Sequence, residues 1–265
     1  MWPHDLRLGP LAISPYGLAL ILAILAALSF LGYTAPRAGT SPRRAFDLAF
    51  WLVIAGLLGS RLAYVLLNPS LYAGRPLEAL QYWQGGLMFQ GGLLAGLLAA
   101  ALACLVLRLN FLVMADALAP ALSLGQAIGR VGCLLAGCCH GRPAPGSFPL
   151  ALTFPRFSQA PPGIPLYPTQ IMECLGLLLI TAALMFLLGR SRPAGLVVSA
   201  YLALAGLLRF LVDPLRGDYR GPRALGLAPT SWAAMAACLA GLALGLFLLA
   251  RQKRLARSKI RCSCL

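Results

Sequence analysis

Long apolar blocks, separated by short polar stretches, run the length of the chain. Runs near 11–33, 46–68, 85–108, 111–140, 168–189, 194–215 and 229–250 predict about seven helices. Most exceed the ~18 residues that mark a bilayer-spanning helix. The blocks are solid rather than alternating, which argues against a β-barrel, whose strands alternate lipid-facing and lumen-facing positions. The fourth run is long and carries Pro120 and several glycines, so a kink or partial re-entry is expected there. No internal repeat stands out. The chain reads as one all-α integral membrane domain over 1–265, with a proline-rich outer-face loop at 141–167 and a basic tail at 251–265.

Composition agrees with the pattern. The 265 residues are 60% hydrophobic and 11% charged, whereas soluble domains are nearer a quarter charged. The formal charge is +15. No basic stripe of a nucleic-acid binder accompanies it, so the excess is assigned to positive-inside topology and anionic lipid, with no nucleic acid as partner. Arg251, Lys253, Arg254, Arg257, Lys259 and Arg261 place the tail in the cytoplasm. Arg37, Arg43, Arg44, Arg108, Arg190 and Arg192 fall on the same side if there are seven spans, and the N-terminus then faces outward. Arg75, Arg142, Arg156, Arg216, Arg220 and Arg223 fall in the longer outer loops. The first apolar run is too long for a cleaved signal, and the terminal Cys262-Ser263-Cys264-Leu265 is read as a chance prenylation pattern.

Three arginines interrupt the apolar runs: Arg61, Arg130 and Arg209. An arginine at mid-helix costs roughly 2.5–3.5 kcal/mol on insertion scales, so each needs a partner, a purpose or a route to the interface. All three fall in the outer halves of their spans. Arg209 and Asp213 are four apart and share a helix face. Three cations at one depth still repel unless an anion joins them, and guanidinium binds phosphate bidentately. Tyr16 and Gln90 lie at the same level, as do Thr169, Gln170 and Glu173. Together they suggest a polar pocket open to the outer leaflet. Gly85, Gly86, Gly91, Gly92, Gly125, Gly129, Gly132 and Gly137 either let helices approach closely or free backbone N–H groups for a phosphate. Most of the eight cysteines sit in apolar runs, where cysteine acts as a small hydrophobe. Cys133, Cys138, Cys139 and His140 are potential soft-metal ligands, but their spacing matches no standard zinc pattern. Adjacent cysteines also make a poor redox pair. No metal or cofactor is expected.

At these residues the sequence resembles prolipoprotein diacylglyceryl transferases. The similar segments are Trp83–Leu93, Gly125–Gly132, Pro168–Glu173 and Arg209–Asp218, with Tyr16-Gly17 and Gly59–Tyr64 also alike, in order along nearly the whole chain. The resemblance implies a bacterial inner-membrane enzyme with seven spans and an outward N-terminus. It implies transfer of a diacylglyceryl group from phosphatidylglycerol to the lipobox cysteine of a preprolipoprotein signal peptide, giving a thioether and glycerol phosphate. Arg130 and Arg209 match essential arginines and would hold the phosphate, with Gln90 and Asp213 as further catalytic positions. Substrate would be bound by Tyr16, Arg61, Gly91, Gly92, Gly132 and Cys133. Gly137, Cys138, Gly141, Gln170 and Glu173 complete that set.

The chain departs from the family pattern inside the site. Gln90 stands where the family usually has histidine, and glutamine takes no proton. Cys133 and Cys138 replace an asparagine and an acidic residue of the glycine-rich signature, Asp213 replaces glutamate, and Tyr167 replaces histidine. The base is then Glu173, Asp213, His140 or solvent, or the arginine field itself favours the thiolate of the acceptor. A non-catalytic protein that binds or moves anionic lipid is the alternative function.

Overall fold

A computed structural model describes residues 6–8, 11–13, 15–72, 74, 76–81, 86, 88–145, 148–156, 158–218 and 221–262. Trp83, Gln84, Gly85 and Leu87 of the glycine-rich segment lie outside the described residues, as do Arg75, Arg220 and the chain beyond Cys262.

Seven helices carry the described fold: α1 (Pro15–Ala38), α2 (Pro42–Leu67), α3 (Phe89–Val106), α4 (Phe111–Ala136), α5 (Thr169–Leu188), α6 (Leu196–Val212) and α7 (Pro229–Cys262). A small antiparallel hairpin, β1 (Leu6–Leu8) with β2 (Leu11–Ile13), precedes them. Among the described residues, six helices are long and apolar enough to cross a membrane. The 18 residues of α3 reach about 27 Å at 1.5 Å per residue, just short of a ~30 Å hydrocarbon core. The chain is a polytopic membrane protein. Large apolar side chains such as Leu62, Leu98, Leu179 and Leu246 point outward from the helices. A soluble monomer rarely tolerates such a surface, whereas lipid solvates it.

Local chemistry sets the helix ends. Ser41 accepts from Arg44 N at the start of α2, and Pro42 follows it, where a missing N–H is harmless. Asn110 Oδ1 accepts from Leu112 N and Val113 N to cap α4. At its other end α4 stops at Gly137, whose φ of 72° is left-handed. That stop corrects one expectation: Cys138, Cys139 and His140 lie in a turn beyond the helix, not inside a span running to 140. The expected partial re-entry is absent, because α4 is one continuous helix through the buried Pro120. Thr34 Oγ1 donates to the Ala117 carbonyl just before the proline, at 2.7 Å. Helix α1 is thereby hydrogen-bonded to the turn of α4 that precedes Pro120.

Helix α4 is the hub, packing against α1, α5 and α6, while α2 pairs with α3 and α6 with α7. Polar links join the hub to its neighbours. Ser123 Oγ donates to Leu177 O. Asp116 is wholly buried and accepts from Gly195 N, Val198 N and Arg192, so a carboxylate on α4 fastens the N-terminus of α6. In the described part of the proline-rich loop, bridges pair Leu166 with Pro143 and Leu152. Phe154, Ala160 and Leu166 form a small core of its own beneath it.

The α2–α3 pair depends on glycine. A β-carbon on Gly91 would lie 2.2 Å from Ala63 Cβ and 2.6 Å from the Gly59 carbonyl, neither of which can swing aside. Gly91→Ala is therefore expected to destabilise the protein by about 1–3 kcal/mol, as overpacked cores do. Gly96→Ala, in the same helix but with open space around it, should leave the detergent melting temperature unchanged or raised. Equal effects of the two substitutions would overturn this account of the helix pair.

Candidate functional site

The first turns of α5 carry Thr169, Gln170 and Glu173, all buried on the face toward the hub. Three arginines from three places converge on Glu173. Arg130 of α4 approaches Oε2 through Nε at 2.5 Å. Arg209 of α6 donates to Oε1 at 2.5 Å. Arg216, beyond a short turn after α6, donates to Oε1 at 3.2 Å. Arg216 is also held by Asp218 through paired contacts of 3.1 Å. Arg209 Nε lies 3.7 Å from Asp213 Oδ1, so the four-residue spacing does place them together.

The cluster has an inner and an outer side. Arg216 and Glu173 are almost fully buried, while Arg130 and Arg209 each keep 25% of the side chain exposed. The exposed faces of these two guanidiniums can receive a phosphate without dismantling the pairs behind them. Glu173 has its oxygens committed to three cations, which suits it to positioning them. Asp213 is likewise occupied: Thr230 Oγ1 donates to it at 2.9 Å and Ser231 Oγ donates too, tying the end of α6 to the start of α7.

The turn after α4 closes the site. Gly141 pairs with Arg216 as an isolated bridge, and Gly217 N donates to the His140 carbonyl. A β-carbon on Gly141 would strike the Tyr167 carbonyl at 2.3 Å, and one on Gly137 would meet Ser158 Cβ at 2.7 Å. Both glycines thus serve close backbone approach. Gln170 Nε2 donates to the Cys138 carbonyl and Thr169 Oγ1 to that of Cys139. The turn and two helices bring the sulfurs of Cys133, Cys138 and Cys139 within 4.8 Å of one another. Hydrogen bonds from Cys133 and Cys138, and then the Arg216 charge, hold the Cys139 thiol well below its usual range. Arg130 Nη1 reaches Cys133 Sγ at 3.8 Å. Tyr16, half exposed at the start of α1, sits over Gly132 and within electrostatic reach of Arg130 and these cysteines.

Other expected members lie elsewhere. Arg61 is buried but donates to the carbonyls of Glu78 at 2.9 Å and Gly86 at 3.2 Å, with the rings of Tyr64 and Tyr72 nearby. It anchors the segment between α2 and α3. Gln90 is exposed at the start of α3. Among the described residues it makes no hydrogen bond to the arginine cluster. Gly91 and Gly92 face Gly59 and Gly56 of α2, so helix packing explains them. Arg216, an outer-loop cation by its place in the sequence, belongs to the site. Its position seven residues after Arg209 was the available signal, because two helical turns return to one face. The turn at 213–215 keeps that approximate alignment after α6 ends.

The profile described as "Prolipoprotein diacylglyceryl transferase" matches residues 3–251. The chain belongs to the prolipoprotein diacylglyceryl transferase family. It is 37% identical over 253 residues to the phosphatidylglycerol–prolipoprotein diacylglyceryl transferase of Bordetella parapertussis, covering 92% of this chain and 94% of that protein. The corresponding protein of Nostoc sp. is 35% identical over 254 residues, 92% of this chain and 87% of its own length. Phosphatidylglycerol–prolipoprotein diacylglyceryl transferase 2 of Clostridium perfringens is 33% identical over 221 residues, 83% and 85%. Within this family member, the convergence on Glu173 unites residues from all of the later similar segments: Arg130, Glu173, and Arg209 with Arg216.

Removing the shared carboxylate would leave three clustered guanidiniums facing one another. Glu173→Gln is expected to cost about 3–5 kcal/mol, the scale of breaking a buried ion pair from one side. Thermal unfolding in detergent measures it. A melting temperature indistinguishable from that of the parent protein would show that Glu173 does not organise the arginines.

Proposed function

We propose that this protein is a transferase that moves the diacylglyceryl group of phosphatidylglycerol to the lipobox cysteine of a preprolipoprotein. The observation that carries the reading is the near full-length kinship with proteins named for that reaction. The partly exposed Arg130 and Arg209 support it, since they offer positive charge where a phospholipid headgroup can reach.

In this reading the phosphodiester sits on the exposed faces of Arg130 and Arg209. The acceptor cysteine attacks as a thiolate, because the thiol is a weak nucleophile. Its sulfur bonds to the glyceryl carbon that bears the phosphate, and the carbon–oxygen bond breaks. The electron pair departs on the phosphate oxygen of glycerol phosphate, and the acceptor thiol's proton passes to solvent. Guanidinium groups that are already fixed by Glu173 stabilise the developing charge with little reorganisation. Tyr16 would orient the substrates, Gln170 would act through the Cys138 carbonyl that it holds, and Arg61 would hold the α2–α3 segment that borders the headgroup. The engaged oxygens of Glu173 and Asp213 favour an arginine field over a carboxylate base.

We also infer a bacterial cytoplasmic membrane, with the N-terminus outside and the tail inside. The exposed Arg251, Lys253 and Arg254, on the extension of α7, support that orientation. A second reading, lipid binding without turnover, is favoured by Gln90 at the family's histidine position.

The test is mass spectrometry of a lipobox peptide incubated with purified protein and phosphatidylglycerol. A diacylglyceryl mass increment is expected. Arg130→Ala and Arg209→Ala should each lower the rate by at least about 10²-fold, the scale of losing one preorganised charge-stabilising donor. Gln90→His should be tolerated or raise the rate; complete loss would mean that the amide itself is needed. Co-purified phosphatidylglycerol with no modified peptide would replace the transferase reading with the binding one.

A further inference from the structure

We propose that Cys133, Cys138 and Cys139 form a three-thiolate site for a zinc ion, whose open fourth position takes the acceptor thiol. The ion site stands on geometry alone; the role of the fourth position rests on the transferase reading above.

The sulfurs already lie within 4.8 Å of one another. Zinc–sulfur bonds of about 2.3 Å put tetrahedral thiolates roughly 3.8 Å apart, so side-chain rotations of about 1 Å close the site. Spacing along the chain hides this arrangement. Cys133 lies on α4, and the other two follow a left-handed glycine that turns the chain back toward it. Cys139 is itself held at φ 58°, a conformation that residues with a β-carbon rarely adopt. Strain of this kind clusters at functional sites.

The surroundings suit a thiophilic ion. Thr169 and Gln170 bond the carbonyls of Cys139 and Cys138, fixing the turn as outer-shell partners do. Gln170 is 1% exposed, and its Oε1 has no hydrogen-bond partner among the described residues. Its Nε2 donates to the Cys138 carbonyl, so the carboxamide lies against the cysteine turn. Three thiolates and one divalent zinc leave one negative charge, which Arg130 beside Cys133 and Arg216 beside Cys139 offset. His140 Nδ1 lies 3.0 Å from the Gly141 carbonyl. Three protein ligands with an open position are the pattern of catalytic zinc rather than of closed structural sites.

Such an ion would supply what Gln90 cannot. A thiol that coordinates zinc is bound as the thiolate, its proton released to solvent, so no protein base is required. The coordinated sulfur attacks the glyceryl carbon, the carbon–sulfur bond forms as the carbon–oxygen bond breaks, and glycerol phosphate leaves with the electron pair. The product thioether is neutral and a weaker ligand, so it departs. Nothing is oxidised or reduced.

The experiment uses the full chain, purified in detergent under reducing conditions and offered zinc, or cobalt(II) as its spectroscopic substitute. About one metal per chain is expected, with thiolate-to-cobalt charge-transfer absorption. Cys133→Ser and the Cys138→Ser/Cys139→Ser double variant should lose both while keeping the parent elution profile. Should either variant fail to fold, cobalt titration of the parent protein still decides. A lipobox peptide should shift the cobalt ligand-field bands, and its cysteine-to-serine counterpart should not. Chelation should slow transfer about 10²–10⁴-fold, the scale of losing the group that activates a nucleophile, and zinc should restore it. No uptake with all three thiols titrating, or a disulfide among them without metal, overturns the site. Bound metal with an unresponsive spectrum and undiminished transfer after chelation overturns the fourth-position role and leaves the transferase reading standing. A responsive spectrum with no diacylglyceryl transfer sustains the zinc–thiol contact and sinks the transferase reading instead.

Discussion

One carboxylate, Glu173, has to reconcile three guanidinium groups inside a membrane protein. Each arginine would resist burial alone, and three would repel one another. Their meeting at Glu173 fixes the relative placement of α4, α5 and the chain after α6. Asp213 extends the same constraint to α7 through Thr230 and Ser231. Apolar packing in lipid is weakly directional, because side chains and acyl tails are alike. The polar cluster therefore supplies a register that the apolar faces of these helices cannot supply unaided.

The same constraint divides labour between the halves of the molecule. The hub and its partners α5, α6 and α7 are fastened by ion pairs, caps and interhelical hydrogen bonds. The α2–α3 pair is fastened by glycine contact, with Arg61 holding backbone carbonyls. The three arginines of the apolar runs thus do different jobs. Arg61 spends its donors on the protein's own chain. Arg130 and Arg209 keep exposed faces and can spend theirs on a phosphate.

The helices were legible in the sequence because a bilayer demands long apolar runs. Among the described residues, six of the seven runs contain helices long enough to span, and the helix of the remaining run is shorter. What periodicity could not foresee were events that depend on single residues or distant partners. Pro120 looked like a breaker, yet α4 stays helical through it. Gly137 looked like one more packing glycine, yet it stops the helix and throws three residues into a turn. Arg130, Glu173 and Arg209 were legible because an ionisable residue in an apolar run must find company. Arg216 was not, since it sits past a helix end where an arginine needs no explanation.

The cysteines show the same limit from the other side. Cys133, Cys138 and Cys139 stood out as potential soft-metal ligands but gave no recognisable pattern, because the six positions from the first to the last match no familiar spacing. Their proximity arises from a glycine turn and from two carbonyls that α5 pins in place. The result puts sulfur beside the arginine cluster. A site that must bring an acceptor sulfur to a phosphate-bearing carbon needs cations for the leaving group and a means of holding sulfur as the anion. Arg130 touches both requirements, pairing with Glu173 through Nε and reaching Cys133 through Nη1. Displacing Arg130 would therefore disturb the charge held for the phosphate and the sulfur cluster at once, which makes it the point where the two halves of the chemistry meet.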